Sequence, residues 1–491
     1  MNRIQARLVA LSLLTASVGV GVGPGCSSDE VASSEDAGAD GTSTDSAVAD
    51  AGAQTDAVAA DGATTDTGSA DTSTPDASTP DATSDASTSD SSATDGSVVD
   101  ANASDSNVGE TSVVDAGTDA SSDAGSDGAA TYKTFTTAAN WEKFVLQPAG
   151  QPSAISDFFG AVFDGRYIYL VPKGSFHGKV VRFDTTASFT DANSYVLFDL
   201  ATVNAQATGF RTGAFDGRYV YLTQGHPGGR MARYDTQASF TAAGSWEFMN
   251  PTTIDASLTS FWQSTAFDGR YVYYGPFNSH LLRYDTQGAF TNAASWSFID
   301  GSTIHAACSN FPGLVFDGTN VNYFGGASLR FPTGGTFTSA AAWQTNGSGA
   351  GAYGVYDGRH IWTGPASGGI GFQFDPDGAV FPTARSYITG LGTVNVFGGV
   401  TDGKYLFFAP SGGSLAARID PSLVYLPDGG QGSGSMTTFD LNSAGVSATS
   451  FAGAAFDGRY VYLVPSNTTS FVRFDAKEPK AMPPSYKGSF L

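Results

Sequence analysis

The stretch Phe163-Asp164-Gly165-Arg166-Tyr167-Ile168-Tyr169 decides how this chain folds, because it recurs. Its Asp-Gly phrase returns at Asp216-Gly217-Arg218-Tyr219, Asp268-Gly269-Arg270-Tyr271, Asp317-Gly318-Thr319-Asn320, Asp357-Gly358-Arg359-His360, Asp402-Gly403-Lys404-Tyr405 and Asp457-Gly458-Arg459-Tyr460. Successive aspartates lie 52, 52, 49, 40, 45 and 55 residues apart. Self-similarity at that period marks an array of supersecondary units, each burying its apolar face only against its neighbours.

Each phrase reads as a hairpin. Asp-Gly tolerates the positive φ pair of a type I′ turn, and the flanks are rich in β-branched and aromatic residues. A third strand follows, marked by Val181-Arg182-Phe183-Asp184, Arg233-Tyr234-Asp235, Arg283-Tyr284-Asp285, Phe374-Asp375, Arg418-Ile419-Asp420 and Arg473-Phe474-Asp475. A fourth comes after Phe-Thr, as in Phe240-Thr241 to Trp246-Glu247-Phe248 and Phe290-Thr291 to Trp296-Ser297-Phe298. Four short strands per unit make one blade of a β-propeller.

The ends distinguish a ring from a rod. The repeats are preceded by a lone fourth strand, Phe135-Thr136 through Trp141-Glu142-Lys143-Phe144, and the last unit stops after its third, at Phe474-Asp475. A rod would leave both half-units as open edges, which aggregate. A ring lets the first strand complete the last blade. The expected fold is therefore all-β: a seven-bladed propeller of four-stranded blades over 131–475, closed by its N-terminal strand and followed by a tail, 476–491.

The second unit, with Asp216-Gly217, Tyr219-Val220-Tyr221, Gly228-Gly229, Tyr234-Asp235 and Trp246, resembles a kelch repeat. The resemblance spans Thr131 to about Asp475. It departs from the pattern in the wider Tyr234–Trp246 spacing and in units where the Gly-Gly is missing or displaced. It implies the propeller fold and leaves the function open, since propellers bind, scaffold and catalyse.

Upstream of Thr131 the composition changes, with no Phe, Tyr or Trp. Residues 1–26 read as a secretory signal, with Arg3 and Arg7 ahead of the apolar run from Leu8 to Leu14. Gly23-Pro24-Gly25-Cys26 resembles a bacterial lipobox, with Gly23 where Leu is usual, and this implies a lipid on Cys26. Residues 27–130, built from Asp, Ala, Ser, Thr and Gly, hold 23 of the chain's 47 acidic residues and none of its 24 basic ones. Such a segment has too little apolar surface to offset the entropy of ordering and is expected to be a disordered spacer. The folded part is left with 24 acidic and 22 basic residues. It has no basic face for nucleic acid. Export to the cell envelope or outer surface on a lipid anchor, or secretion without one, and a monomeric ring are the expectations. With Cys26 lipidated and Cys308 alone, no disulfide joins the ring.

The Asp-Gly-Arg and Arg-aromatic-Asp phrases fall on one rim. Arg166, Arg218, Arg270, Arg359 and Arg459 are expected to pair with aspartates such as Asp184, Asp235 and Asp285 and so tie blades together. The other rim carries loops that differ between blades, where a site is expected. His177, His226 and His280 lie in three neighbouring loops, and His305 in a longer connection. Converging imidazoles bind metal, but no carboxylate or cysteine accompanies each, so solvent-facing histidines are the competing reading. Arg211, Trp262 and Gln263, beside Phe158, Phe210 and Phe311, suit a glycan or peptide at the channel mouth, or else plug it. No Gly-x-Ser-x-Gly elbow, phosphate loop, His-Glu-x-x-His or sialidase-type Asp box is present, and no cofactor is implied. A surface-displayed binding module for a protein or glycan is the leading expectation. A propeller enzyme acting on carbohydrate or envelope polymer, and a structural envelope protein without a discrete ligand, are the alternatives.

Overall fold

The computed structural model describes residues 130–486, except 175–176, 346, 348, 350, 365–368, 379–380, 382–383, 389–394, 426–429, 431, 433–434 and 448–449. The signal segment with Cys26, the linker up to residue 129 and the last residues of the tail, 487–491, lie outside the described residues. The fold is a seven-bladed β-propeller of seven four-stranded antiparallel sheets. Blades 1 to 6 span 158–199, 210–249, 262–300, 313–345, 354–388 and 395–440. Blade 7 consists of Phe451–Phe456, Tyr460–Pro465 and Ser470–Asp475, with Trp141–Val145 as its outer strand.

The ring closes as the half-units require. Trp141 pairs with Phe474 and Val145 with Ser470. The Arg473 guanidinium bonds Glu142 across the seam at 2.8 Å. A second latch is added outside it: Thr131–Tyr132 pairs antiparallel with Lys477–Glu478.

The Asp-Gly hairpin differs from the expected type I′ turn. Phe163 pairs with Ile168, and the Asp164 N–H donates to Tyr167 O at 3.1 Å, so the two-residue loop is Gly165-Arg166. Positive φ is confined to the glycines of the seven turns, at 94° to 103°. A glycine first in the loop, with the next residue at negative φ, is the Gly-first pattern of type II′, whereas I′ needs positive φ at both. The aspartate sits before the loop and braces it. Asp164 Oδ1 accepts from Arg166 N at 2.8 Å and Tyr167 N at 2.6 Å, and Oδ2 from the Tyr169 hydroxyl at 2.7 Å. Asp216 with Tyr221, Asp268 with Tyr273 and Asp457 with Tyr462 repeat the hydroxyl bond, while Trp362 and Asn322 supply N–H donors to Asp357 and Asp317.

Among the described residues, four of the five arginines expected to pair with aspartates do so, Arg166, Arg218, Arg270 and Arg459 but not Arg359, and they pair inside blades rather than between them. Arg166–Asp184, Arg218–Asp235 and Arg270–Asp285 each close at 2.7 Å, and Arg459–Asp475 at 2.8 Å. Each links a hairpin turn to the end of the third strand of the same sheet. The blades are tied instead by the arginine two residues before that aspartate. Arg182 lies 4.3 Å from the Tyr167 ring of its own blade and 4.7 Å from Phe240 of the next. Arg233 repeats this on Tyr219 and Phe290 at 4.2 and 5.1 Å, and Arg283 on Tyr271 and Phe337 at 4.1 and 4.6 Å. Arg330 reaches Phe381, Arg418 reaches Phe135 and Arg473 reaches Phe189. A guanidinium held between two rings out of water contributes about 1–2 kcal/mol. Six of the seven junctions carry the device on the third strand; in blade 5 that position is Gln373, and Arg385, its partner on the fourth strand, lies 3.8 Å from the Tyr425 ring of blade 6.

The Trp residues of the fourth strands lock the loop that leads into them. The indole N–H of Trp141, Trp246, Trp296 and Trp343 donates to the carbonyl of Phe135, Phe240, Phe290 and Phe337 at 2.9 to 3.0 Å. The Tyr195 hydroxyl does the same to Phe189 O at 2.6 Å. Cys308 is a free, buried thiol, pushed up to about 11 by burial.

Candidate functional site: the channel mouth

The innermost strands of five blades lose register with their neighbours at one equivalent place. The shifts fall between Phe158 and Gly160, Phe210 and Gly213, Trp262 and Ser264, Val396 and Gly399, and Phe451 and Ala454. A bulge puts extra residues into one strand and re-aims a side chain. The residue five before the blade aspartate falls in the bulge each time: Phe159, Arg211, Gln263, Phe397 and Ala452. Their contacts show that they converge at the channel mouth. Phe159 of blade 1 meets Phe397 of blade 6 with ring centroids 5.7 Å apart, passing over blade 7, which offers only Ala452.

Arg211 is the charge in this arc. Its guanidinium lies 4.5 Å from the Phe159 ring and 5.4 Å from Phe261, and Nη1 donates to Gln263 Oε1 at 3.1 Å. Gln263 in turn donates from Nε2 to Asn310 Oδ1 at 2.6 Å. Phe261 stacks on Phe277 at 4.6 Å, and Phe277 is 46% exposed, which leaves an aromatic face to solvent. On the other flank Tyr353 meets Phe397 at 5.4 Å. Further down the inner strands, the Thr212 and Thr265 hydroxyls lie 2.9 Å apart. Among the described residues, the non-glycine positions at positive φ are Asp157, at 68°, and Asn310, at 54°, both in connections that lead into inner strands at this rim. Asp and Asn tolerate that region better than other non-glycine residues, which suits them to the tight entry into these strands.

Of the residues singled out by sequence, Arg211 and Gln263 are brought together. Trp262 is 1% exposed in the core shared with blade 2, its indole N–H donating to His280 O at 3.1 Å. Phe158, Phe210 and Phe311 are likewise buried, one register away from the mouth. The histidines are engaged locally. His177 Nε2 lies 3.1 Å from Ser156 O, Nδ1 accepts from Lys179 N, and burial lowers its pKa. His226 contacts Thr208 and Pro227 O, His280 bonds Asn278, and His305 accepts from Ala307 N. No group of three or more His, Cys, Asp or Glu side chains gathers as a metal site among the described residues.

Phe159, Phe261, Phe397 and Tyr353 were not singled out by sequence. The available signal was the shared offset of five residues before each aspartate, which aligns Phe159 and Phe397 with Arg211. The arc offers flat apolar faces, one guanidinium and a chain of side-chain amides, a set suited to holding a ligand by stacking and directed hydrogen bonds.

No protein-family model and no curated protein matches the sequence. Among solved structures, the chain is similar to one in the crystal structure of a mitotic checkpoint complex, at 12% identity and a TM-score of 0.45, covering 66% of this chain and 92% of that one. It is also similar to YCF48 from Cyanidioschyzon merolae, at 14% identity and a TM-score of 0.46, covering 68% and 98%.

Proposed function

We propose that this is an exported, lipid-anchored, kelch-like propeller that acts as a binding module for a glycan or a protein at its channel mouth. The observation that carries the reading is the convergence of bulged residues from several blades on the Arg211 arc. Repetition explains the turns and clasps, because every blade needs them. The arc differs from blade to blade, as a site does. The signal-like leader and Gly23-Pro24-Gly25-Cys26 support the anchor and display at the envelope.

The test is a glycan array and a capture screen against envelope proteins, using the full chain and Arg211→Ala. Loss of Arg211 from a ligand-contacting arc weakens binding at least about tenfold, roughly 1.4 kcal/mol. A ligand bound equally by both proteins overturns the placement at the mouth. Turnover of a polysaccharide substrate overturns the binding-module reading. Fatty-acid labelling that is lost in Cys26→Ser supports the anchor, and labelling retained in that variant rejects it.

A further inference from the structure

The end of the channel opposite the mouth is lined by the residue just before each blade aspartate. Six are aromatic: Phe163, Phe215, Phe267, Phe316, Tyr356 and Phe456. Blade 6 has Thr401 there. Tyr486, from the C-terminal tail, lies at that gap. Its hydroxyl donates to Thr401 O at 2.9 Å, its ring is 6.3 Å from Phe456, and it lines both cavities of the channel.

The tail reaches this place along a defined track over the hairpin turns. Lys477 Nζ donates to Asp402 O at 2.7 Å. Lys480 Nζ meets Asp457 Oδ2 at 3.2 Å, and the Ala481 N–H donates to Gly458 O at 2.9 Å. The turns allow the close approach because they are glycines: a Cβ on Gly403 would lie 3.2 Å from the Pro483 Cβ, and one on Gly458 3.2 Å from Ala481 N.

We infer that the tail is the floor of the channel, with Tyr486 supplying the aromatic member that blade 6 lacks. The channel is then a socket with one entrance, at the mouth, and a polymer cannot thread it. That consequence for ligand access rests on the proposed mouth site; the plug itself does not.

Trypsin tests the plug without any ligand. The Lys480–Ala481 bond is protected while the tail is docked, because its amide is hydrogen bonded to Gly458. In the full chain, Tyr486→Ala should raise the cleavage rate at Lys480 about tenfold or more, since proteolysis follows the population of the open form. Thr401→Phe should do the same, because a phenyl at that position takes the seat and evicts the tyrosine. The double variant should be cleaved as fast as either, yet melt higher than Tyr486→Ala alone. Cleavage of Tyr486→Ala at the wild-type rate overturns the proposal, and so does a folded Thr401→Phe protein whose Lys480 stays protected. A mouth ligand that still binds the cleaved protein leaves the mouth reading intact, so the two ideas fail separately.

Discussion

Blade 2 and blade 6 share a plan but execute it differently. In blade 2 each special position is filled from within the repeat array. Asp216 Oδ2 accepts the Tyr221 hydroxyl at 2.6 Å, Phe215 stands in the aromatic floor, and Arg233 clasps blade 3. In blade 6 the tyrosine has become Phe407, and Asp402 Oδ2 is buried with no hydrogen-bond partner among the described residues. The floor residue is Thr401, and the junction from blade 5 is made from the fourth strand, by Arg385 over Tyr425, with Gln373 at the third-strand position. Both ends of the folded chain then meet blade 6. Tyr132 packs edge-on against Tyr405 at 5.6 Å, Phe135 lies against Phe407 at 5.9 Å, and the tail brings Lys477 and Tyr486. A repeat unit stays standing without its own parts where the chain termini supply substitutes. The segments that close the ring therefore also pack against blade 6.

The largest difference should appear when equivalent arginines are removed. Arg233 is 9% exposed, donates from Nη1 to the Tyr284 hydroxyl of blade 3 at 2.9 Å, and bonds Glu247. Its truncation to alanine removes the clasp on the Tyr219 and Phe290 rings and the packing of the buried stem, and should cost about 2–3 kcal/mol, while water takes over the half-exposed Glu247 carboxylate. Among the described residues, Arg418 holds a 3.2 Å bond to Lys133 O besides its ring contacts, and its Nε is buried without a partner. Arg418→Ala should cost about half as much, because the desolvated Nε penalty disappears with the side chain. Urea melts of both variants measure this, and equal losses would mean that the two junctions are energetically alike.

A smaller effect, of opposite sign, should follow from giving blade 6 its missing hydroxyl. Phe407→Tyr places a donor where Tyr221 bonds Asp216, and should stabilise the protein by about 1–2 kcal/mol at neutral pH. Burial raises the Asp402 pKa above the ordinary carboxylate range. The folded state therefore binds that proton more tightly than the unfolded chain, and the cost of the buried charge grows as pH rises from the unfolded pKa through the folded one. The gain from Phe407→Tyr should be full above the folded pKa and shrink as pH falls toward 4, near the unfolded aspartate value. Melts at neutral and acidic pH would show it. A gain that is the same at both would remove Asp402 as the cause.

The repeats made the ring legible because they encode local rules: Asp-Gly for the turn, alternation for the strands, Phe-Thr and Trp for the outer edge. Closure was legible as well, since Trp141 and Phe474 each lacked a partner in sequence and pair in space. The arc at the mouth was half legible. A bulge exists only as a mismatch between two strands, so Phe158 opposite Pro172 and Gly160 opposite Val171 must be registered before Phe159 is seen to stand out. A slip of one residue turns a side chain from the blade core to the channel, so Trp262 and Phe158 are prominent in the sequence pattern and Phe261 and Phe159 are not. The role of Tyr486 left a fainter trace, a threonine at 401 in a column of aromatics. The direction of the arginine ties was hidden for another reason: sequence offers both Arg218 and Arg233 as partners for Asp235, and only the sheet shows which one turns to the next blade.

That last distinction also gives the smallest expected effect. Arg218 and Asp235 form a well-shaped pair at 2.7 Å, but the arginine side chain is 51% exposed. Water and salt screen such a pair, and holding the long side chain costs entropy. Arg218→Gln should leave the melting midpoint unresolved from wild type, in contrast to Arg233→Ala on the third strand of the same blade. The bond from Arg218 holds the Asp235 carboxyl below its usual pKa. Whatever stability the pair gives is thus present above the unfolded pKa and lost as pH falls through the folded one. Acid should narrow any residual gap between Arg218→Gln and wild type, and high salt should do the same. A large loss in Arg218→Gln at neutral pH and moderate salt would show that the exposed pair, rather than the buried clasp, holds blade 2 in the ring.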